Sequence, residues 1–113
     1  MAGGPAGGKN APMRDEAFVK VAKALADPTR LRMLREIRAA GELTCSGVCR
    51  CFDLAQPTIS HHIRTLEEAG LIRIRKEGPY HVLRVDEAAL GDFAREIAGP
   101  AAAPRRKRAS AKP

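Results

Sequence analysis

The sequence contains no hydrophobic run that approaches the ~20 residues needed for a membrane-spanning helix. Its first residues, MAGGPAGGKNAPM, have no apolar stretch of the kind that a secretory signal peptide carries. A glycine-rich phosphate loop is missing, and so is a recognisable nucleophile motif with its base. We therefore expect a cytoplasmic protein that has no membrane partner and is not an enzyme.

Cysteine is scarce, and all three cysteines lie close together, at Cys45, Cys49 and Cys51. An odd number of clustered cysteines does not match the spacing of a small secreted domain held together by disulfides. We expect reduced thiols. With 113 residues the chain can form one small domain with a modest core.

The net charge of +7 is concentrated outside the predicted domain. Five of the 20 basic residues lie between residues 105 and 112 and one is Lys9, which leaves 14 basic against 13 acidic residues in the segment 14–99. A polyanionic partner therefore has to be argued from local clusters of charge. One such cluster spans residues 73–84, where four basic residues accompany a single acid, Glu77.

Composition divides the chain into three parts. Residues 1–12 consist mainly of Gly, Ala and Pro, and residues 100–113 are Ala, Pro and basic residues. Segments so poor in large apolar side chains bury too little surface to offset the entropy of ordering. We predict a disordered N-terminal tail at 1–12, a folded domain at 13–99 and a disordered basic tail at 100–113.

The folded part begins with three helical patterns. The first starts near Arg14 and carries an apolar face, and the second starts at the restart signal Asp27-Pro28 and ends at Gly41. In the third, Thr44 is the N-cap and is followed by a short apolar stripe before a tight turn into Gln56. A helix, a short turn and another helix predict a helix-turn-helix.

The segment from Leu54 to Arg84 is the most informative part of the sequence. A helical stripe of Ile59, Ile63 and Leu66 is followed by two alternating strands and a turn at residues 77–79. Asp86 then caps a last helix. The expected fold is mainly α with a β-hairpin wing, in the order of four helices, two strands and a fifth helix. This is a winged helix-turn-helix, a fold typical of DNA-binding proteins.

With these parts in order, the sequence resembles the ArsR/SmtB family of small winged-helix repressors. The motifs that carry the resemblance are ALADPTRLRMLREI at 24–37, GEL at 41–43, LAQPTISHHIRTLEEAGLI at 54–72 and RIRKEGPYHVLRV at 73–85. The resemblance implies a homodimer that represses a promoter until an effector releases it. It also implies that the first and last helices pair across the two-fold axis.

The apolar stripes of those two helices agree with such a dimer, because a small monomer would not easily bury them completely. The alternative is that both helices only cover the core of the monomer. The predicted interface residues are Phe18, Val21, Leu25, Leu90, Phe93 and Ile97.

A recognition helix offers its N-terminal half to the major groove, and a basic wing suits a minor groove or flanking phosphates. The candidate DNA-binding residues are Gln56, Thr58, Ser60, His61 and Arg64 on the helix, and Arg73, Arg75, Lys76, Tyr80 and His81 on the wing. His62 lies at the edge of the apolar stripe, where we expect a packed histidine.

A dimer of this kind is expected to bind double-stranded DNA at an inverted-repeat operator with half-site centres roughly 34 Å apart. The alternatives are a solvated helix face, an edge strand whose basic residues only prevent pairing, and a winged helix that binds another protein.

The cysteines bear on whether an effector exists. Family members that sense metals or metalloids often carry Cys-x-Cys-x-x-Cys after Glu-Leu, whereas here Glu42-Leu43 is followed by cysteines at different spacing. Cys45 and Cys49 share a helix face with Val48, which favours packing in the core. The alternative is a thiol sensor in which Cys51 is the best exposed group.

No cofactor is required by this interpretation, and a metalloid or metal effector at the cysteines stays open. The last helix has no histidine, so a zinc site of the family's other type is not supported, and the sequence predicts no metal ligand outside the cysteines.

Overall fold

The computed structural model describes residues 14–99. In this range the elements are α1 (Asp15–Ala24), α2 (Pro28–Ala40), β1 (Leu43–Thr44), α3 (Cys45–Cys51), α4 (Gln56–Glu68), β2 (Ile72–Glu77), β3 (Tyr80–Val85) and α5 (Glu87–Ala98). The predicted fold class is confirmed, and β1 is an additional strand that the sequence pattern did not reveal. The predictions for the tails at 1–12 and 100–113 concern residues outside the described range.

Short polar side chains cap the N-termini of three helices, as predicted. Asp27 accepts hydrogen bonds from the backbone N–H groups of Thr29 at 2.8 Å and Arg30 at 3.0 Å. Thr44 accepts one from the next turn of α3, and Asp86 accepts one from the first turn of α5, each at 3.0 Å. These bonds satisfy N–H groups that a helix start leaves without intrahelical partners.

The sheet is antiparallel with strand order β1-β3-β2. On the wing, Glu77 lies opposite Tyr80, so a two-residue turn of Gly78 and Pro79 joins β2 to β3. Gly78 has a φ of 58°, a left-handed conformation that favours glycine. Leu43 of β1 lies opposite Leu83 of β3, which attaches the start of α3 to the wing.

The core lies between α1, α2, α3, α4 and the inner face of the sheet. Its largest fully buried side chains are Met33, Ile37, Ile59, Leu66, Leu71, Leu83, Val21 and Val48. In contrast, α5 contributes no buried residue, although Leu90 and Phe93 pack against the core from its edge.

The prediction that Val21 lies in a dimer interface was wrong. Its side chain is 1% exposed in the monomer, because α1 packs against α4 and turns this residue into the core. The apolar residues of α1 therefore have two environments: Val21 lies in the core of the monomer, and Phe18 lies at the edge of that core. Phe18 stacks on Phe93 of α5 with 4.8 Å between ring centroids, so the first and last helices contact each other within one chain.

Candidate DNA-binding surface

The helix α4 separates a buried face from a polar one. Ile59, Ile63 and Leu66 are between 0% and 5% exposed and anchor the helix on the core. The five predicted DNA contacts of this helix are all exposed: Gln56, Thr58, Ser60, His61 and Arg64. The structure thus places them together at the solvent side of the N-terminal two-thirds of α4.

The first turn of α4 differs from those of α2, α3 and α5. Its N-cap residue is Ala55, and no side chain in the described part of the chain caps it. Pro57 has no backbone N–H, so the N–H groups of Gln56 and Thr58 are the ones left for water or for an anion such as a phosphate, which helix N-termini favour.

His62 faces away from this surface and is 8% exposed, which confirms the expectation of a packed histidine. Its Nδ1 lies 3.1 Å from Nη1 of Arg30 on α2. Burial lowers the pKa of His62 from its usual value, although the nearby Asp27 carboxylate acts in the opposite direction. The sequence pattern contained no signal for Arg30, whose partner lies 32 residues further along the chain.

The outer face of the wing carries an ion-pair network. Arg75 on β2 donates to both oxygens of Glu42, at 2.6 and 3.1 Å, and to Glu77 at 2.7 Å. These hydrogen bonds lower the pKa of Glu42 and raise that of Arg75. Arg84, the neighbour of this pair on β3, lies 3.6 Å from the same Glu42 carboxylate.

A second ion pair lies at the base of the wing. Nη2 of Arg73 is 2.9 Å from Oδ2 of Asp86, the residue that also caps α5. The basic residues of segment 73–84 therefore form ion pairs with two acids outside that segment, Glu42 and Asp86. Arg75 in particular was predicted to contact DNA, and its guanidinium is already bound by two carboxylates in the folded chain.

The tip of the wing keeps the polar character that was predicted. Lys76 and His81 lie opposite each other on β2 and β3, and both are exposed. Tyr80 is 55% exposed beside the turn. These three side chains and the exposed face of α4 form what we call the reading surface.

Comparison with known proteins identifies the family. A family model described as a helix-turn-helix domain matches residues 25–75. The arsenical resistance operon repressor of Staphylococcus aureus is 32% identical over 77 residues, which cover 68% of this chain and 73% of that repressor. The crystal structure of an ArsR family transcriptional regulator superposes with a TM-score of 0.69 and 30% identity, covering 78% of this chain and 90% of the other. The chain belongs to the ArsR family of transcriptional regulators.

A second solved structure of similar fold is a homodimeric winged helix-turn-helix DNA-binding domain from Mycobacterium bovis, a possible ArsR-family transcriptional regulator. It has a TM-score of 0.63 and 27% identity, and the alignment covers 74% of this chain and 83% of that one. In residues 14–99 of the present ArsR-family chain, no helix combines the length and apolar character required to cross a membrane.

The cysteines of this ArsR-family regulator lie next to the reading surface. Cys45 and Cys49 on α3 are half-buried, whereas Cys51 is exposed as expected. Burial raises the pKa of Cys45, and the neighbouring Cys49 adds to the effect. Across residues 14–99, no group of three or more His, Cys, Asp or Glu side chains is arranged to hold a metal ion.

Both half-buried cysteines open onto a groove of about 320 Å³ between α3, the start of α4 and the wing tip. The groove is lined by Cys45, Ser46, Cys49, Gln56, Pro79, Tyr80 and His81. Three of these residues are predicted DNA contacts. A pair of thiols and part of the reading surface thus share one groove, although Val48 on the same helix and Phe52, the residue that follows it, are buried core residues.

Proposed function

We propose that this ArsR-family regulator represses transcription in the cytoplasm as a homodimer bound to an inverted-repeat operator in double-stranded DNA. The observation that carries the proposal is the reading surface. Five exposed polar or basic side chains project from a recognition helix whose N-terminal turn has no side-chain cap, and the wing tip flanks them.

The residue types suit the two tasks of a DNA-binding surface, which are to recognise base edges and to contact phosphates. Gln56 can pair with an adenine edge, and Arg64 can donate two hydrogen bonds to guanine or contact a phosphate. Thr58 and Ser60 are hydroxyl donors of the kind that most often bind phosphates. His61 lies near the centre of the exposed face, where it can reach a base edge.

The apolar surface of α1 and α5 supports the dimer. Val19 is 46% exposed and Ile97 is 65% exposed, and α5 as a whole contributes no buried residue. Exposed apolar groups on adjacent helices favour a second copy of the same surface across a two-fold axis. The homodimeric neighbour from Mycobacterium bovis supports a dimer.

A gel shift with the region upstream of the protein's own gene tests the proposal. We expect a discrete complex with that fragment at protein concentrations that leave an unrelated duplex of the same length unbound. Equal affinity for both fragments would instead favour a module that binds another protein. A single-copy complex, measured by sedimentation of protein with DNA, would contradict the dimer.

We further propose a soft, thiol-reactive effector at Cys45 and Cys49. The support is that the two thiols line one groove with Gln56, Tyr80 and His81, so a ligand seated there would contact the reading surface. The test repeats the gel shift with arsenite, zinc, peroxide or polysulfide, using the wild type and a Cys45→Ser/Cys49→Ser variant. Release by one agent in the wild type alone supports a sensor, and no release by any of them favours a repressor without thiol sensing.

A further inference from the structure

Arg30 joins three helices at one point. Its Nε donates to the carbonyl oxygen of Ala24, the last residue of α1, at 2.7 Å. Its Nη1 lies 3.1 Å from Nδ1 of His62 on α4, and its backbone N–H donates to Asp27 at the start of α2. The side chain of Arg30 therefore links the end of α1 to the recognition helix, and its backbone N–H fixes the residue to the start of α2.

The chemistry of this contact defines the state of His62. A guanidinium group has only N–H donors, so Nδ1 has to accept the hydrogen bond and the imidazole proton has to be on Nε2. If His62 takes up a second proton, the acceptor at Nδ1 becomes a donor and two cations face each other at the same position. The hydrogen bond is then lost and replaced by repulsion.

Burial makes this change costly for the recognition helix. His62 is 8% exposed, so a protonated ring at this position is poorly hydrated, and relief of the repulsion requires the ring or the helix that carries it to move. The neighbouring residue on that backbone is His61, which belongs to the reading surface. The charged and titratable groups that face His62 are Arg30 and Asp27 from the α1–α2 junction and His61 on its own helix.

We propose that Arg30 is a positioning residue that holds the recognition helix through neutral His62, so that protonation of His62 weakens binding to the operator. This inference rests on the proposed function, because it assumes that α4 reads DNA. Burial, Arg30 and His61 all oppose the charged form, whereas Asp27 alone favours it. The folded chain therefore keeps the link in the neutral state at and above the usual pKa of histidine and loses it as the pH falls below that value.

The direction in which affinity changes with pH distinguishes protonation of His62 from the addition of positive charge to the reading surface. Positive charge added to the reading surface strengthens binding to phosphates, and His61 and His81 are the histidines exposed there. Protonation of His62 acts in the opposite direction. The sequence contains three histidines, and a His61→Asn/His81→Asn variant leaves His62 as the sole one.

The experiment measures affinity of the full chain for the upstream duplex by fluorescence anisotropy, at constant ionic strength and decreasing pH. The His61→Asn/His81→Asn background is expected to bind more weakly at every pH, because both residues belong to the reading surface, so the measured quantity is the change of affinity with pH. In this background we expect affinity to fall on acidification, with a limiting slope of about tenfold per pH unit for each excluded proton, and the proposed dimer has one His62 in each protomer. Adding His62→Asn, which keeps an acceptor without a titrating group, is expected to remove the slope. Circular dichroism at each pH verifies that the chain stays folded.

Affinity that stays constant or rises on acidification in the His61→Asn/His81→Asn variant would overturn the proposal. A second measurement needs no variant and no DNA. Nitrogen-15 NMR of the wild type is expected to show His62 with its proton on Nε2 near neutral pH, and a proton on Nδ1 would equally overturn the link. Because NMR reports on the free protein, its failure is distinguishable from a failure of the DNA-binding proposal.

Discussion

The guanidinium of Arg75 donates two hydrogen bonds to the Glu42 carboxylate, although the two residues lie 33 positions apart in the sequence. Glu42 precedes β1 at one edge of the sheet, and Arg75 is on β2 at the other edge. The contact therefore spans the outer face of the wing. It also brings negative charge to a segment that looks strongly basic in the sequence.

Replacing Glu42 with Gln is expected to strengthen binding to DNA of any sequence. The change leaves Arg75 and Arg84 without their shared carboxylate, so at least one more cation is available to a phosphate. The slope of log affinity against log salt concentration should become steeper by about one counterion. Affinities for an unrelated duplex at several salt concentrations measure this slope.

The matched control for that variant is Glu87→Gln. Glu87 also pairs with an arginine, Arg38, but on α5 and away from the wing. Both substitutions change the net charge equally. If the two variants show the same salt dependence, the ion pair with Glu42 does not keep Arg75 from contacting phosphates.

Replacing Arg64 or His61 with Ala is expected to weaken operator binding selectively. Loss of a side chain that contacts a base edge costs about 1–3 kcal/mol, whereas binding to unrelated DNA should change less. Arg35→Ala removes the same charge as Arg64→Ala from an exposed position on α2. Equal losses in these two arginine variants would argue against a reading role for Arg64.

An acidic residue on the exposed end of α5 is expected to dissociate the dimer. Ile97→Asp would bury an unpaired carboxylate in the interface, which costs several kcal/mol. Sedimentation velocity should then show a monomer at concentrations where the wild type is dimeric. Leu54→Asp provides the control, because Leu54 is an exposed apolar residue on the turn between α3 and α4. A monomer in both variants would point to a general loss of structure.

Deletion of residues 104–113 is expected to weaken binding to operator and unrelated DNA alike. The deleted segment contains five of the basic residues of the chain. Such charges act on phosphates without reading bases, so the salt dependence should become flatter while the ratio of the two affinities is kept. A changed ratio would show that the segment takes part in sequence recognition.

The thiols are expected to react at different rates with iodoacetamide. Burial raises the pKa of Cys45, so at neutral pH this residue has less thiolate than an ordinary cysteine, and its rate should keep rising into the alkaline range. Cys51 is exposed and should be labelled first. Mass spectrometry of timed samples from the wild type and a Cys51→Ser variant measures both rates. Faster labelling of Cys45 would contradict the burial argument.

Local patterns in the sequence were enough to predict the order of the helices and the wing. Asp27, Thr44 and Asp86 cap helices as expected because capping depends on residues only two or three positions away. The strand β1 was missed because two residues are too few to show an alternating pattern. Its existence depends on β3, which lies almost 40 residues later in the chain.

The reading surface was predictable in part for the same reason. Helical periodicity indicates which side of α4 is polar, and the structure agrees for all five residues on that helix. Periodicity does not reveal what an apolar or charged side chain meets after folding. Val21 therefore proved to be a core residue, and Arg75 met Glu42.

The short strand β1 makes the wing and α3 a single mechanical unit. Thr44 pairs with Val82 on the wing through its backbone and, through its side chain, caps the helix that begins at the next residue, Cys45. No residue separates β1 from α3. We therefore expect a distortion of the first turn of α3 to change the orientation of the hairpin, with the largest displacement at the wing tip because it lies farthest from β1.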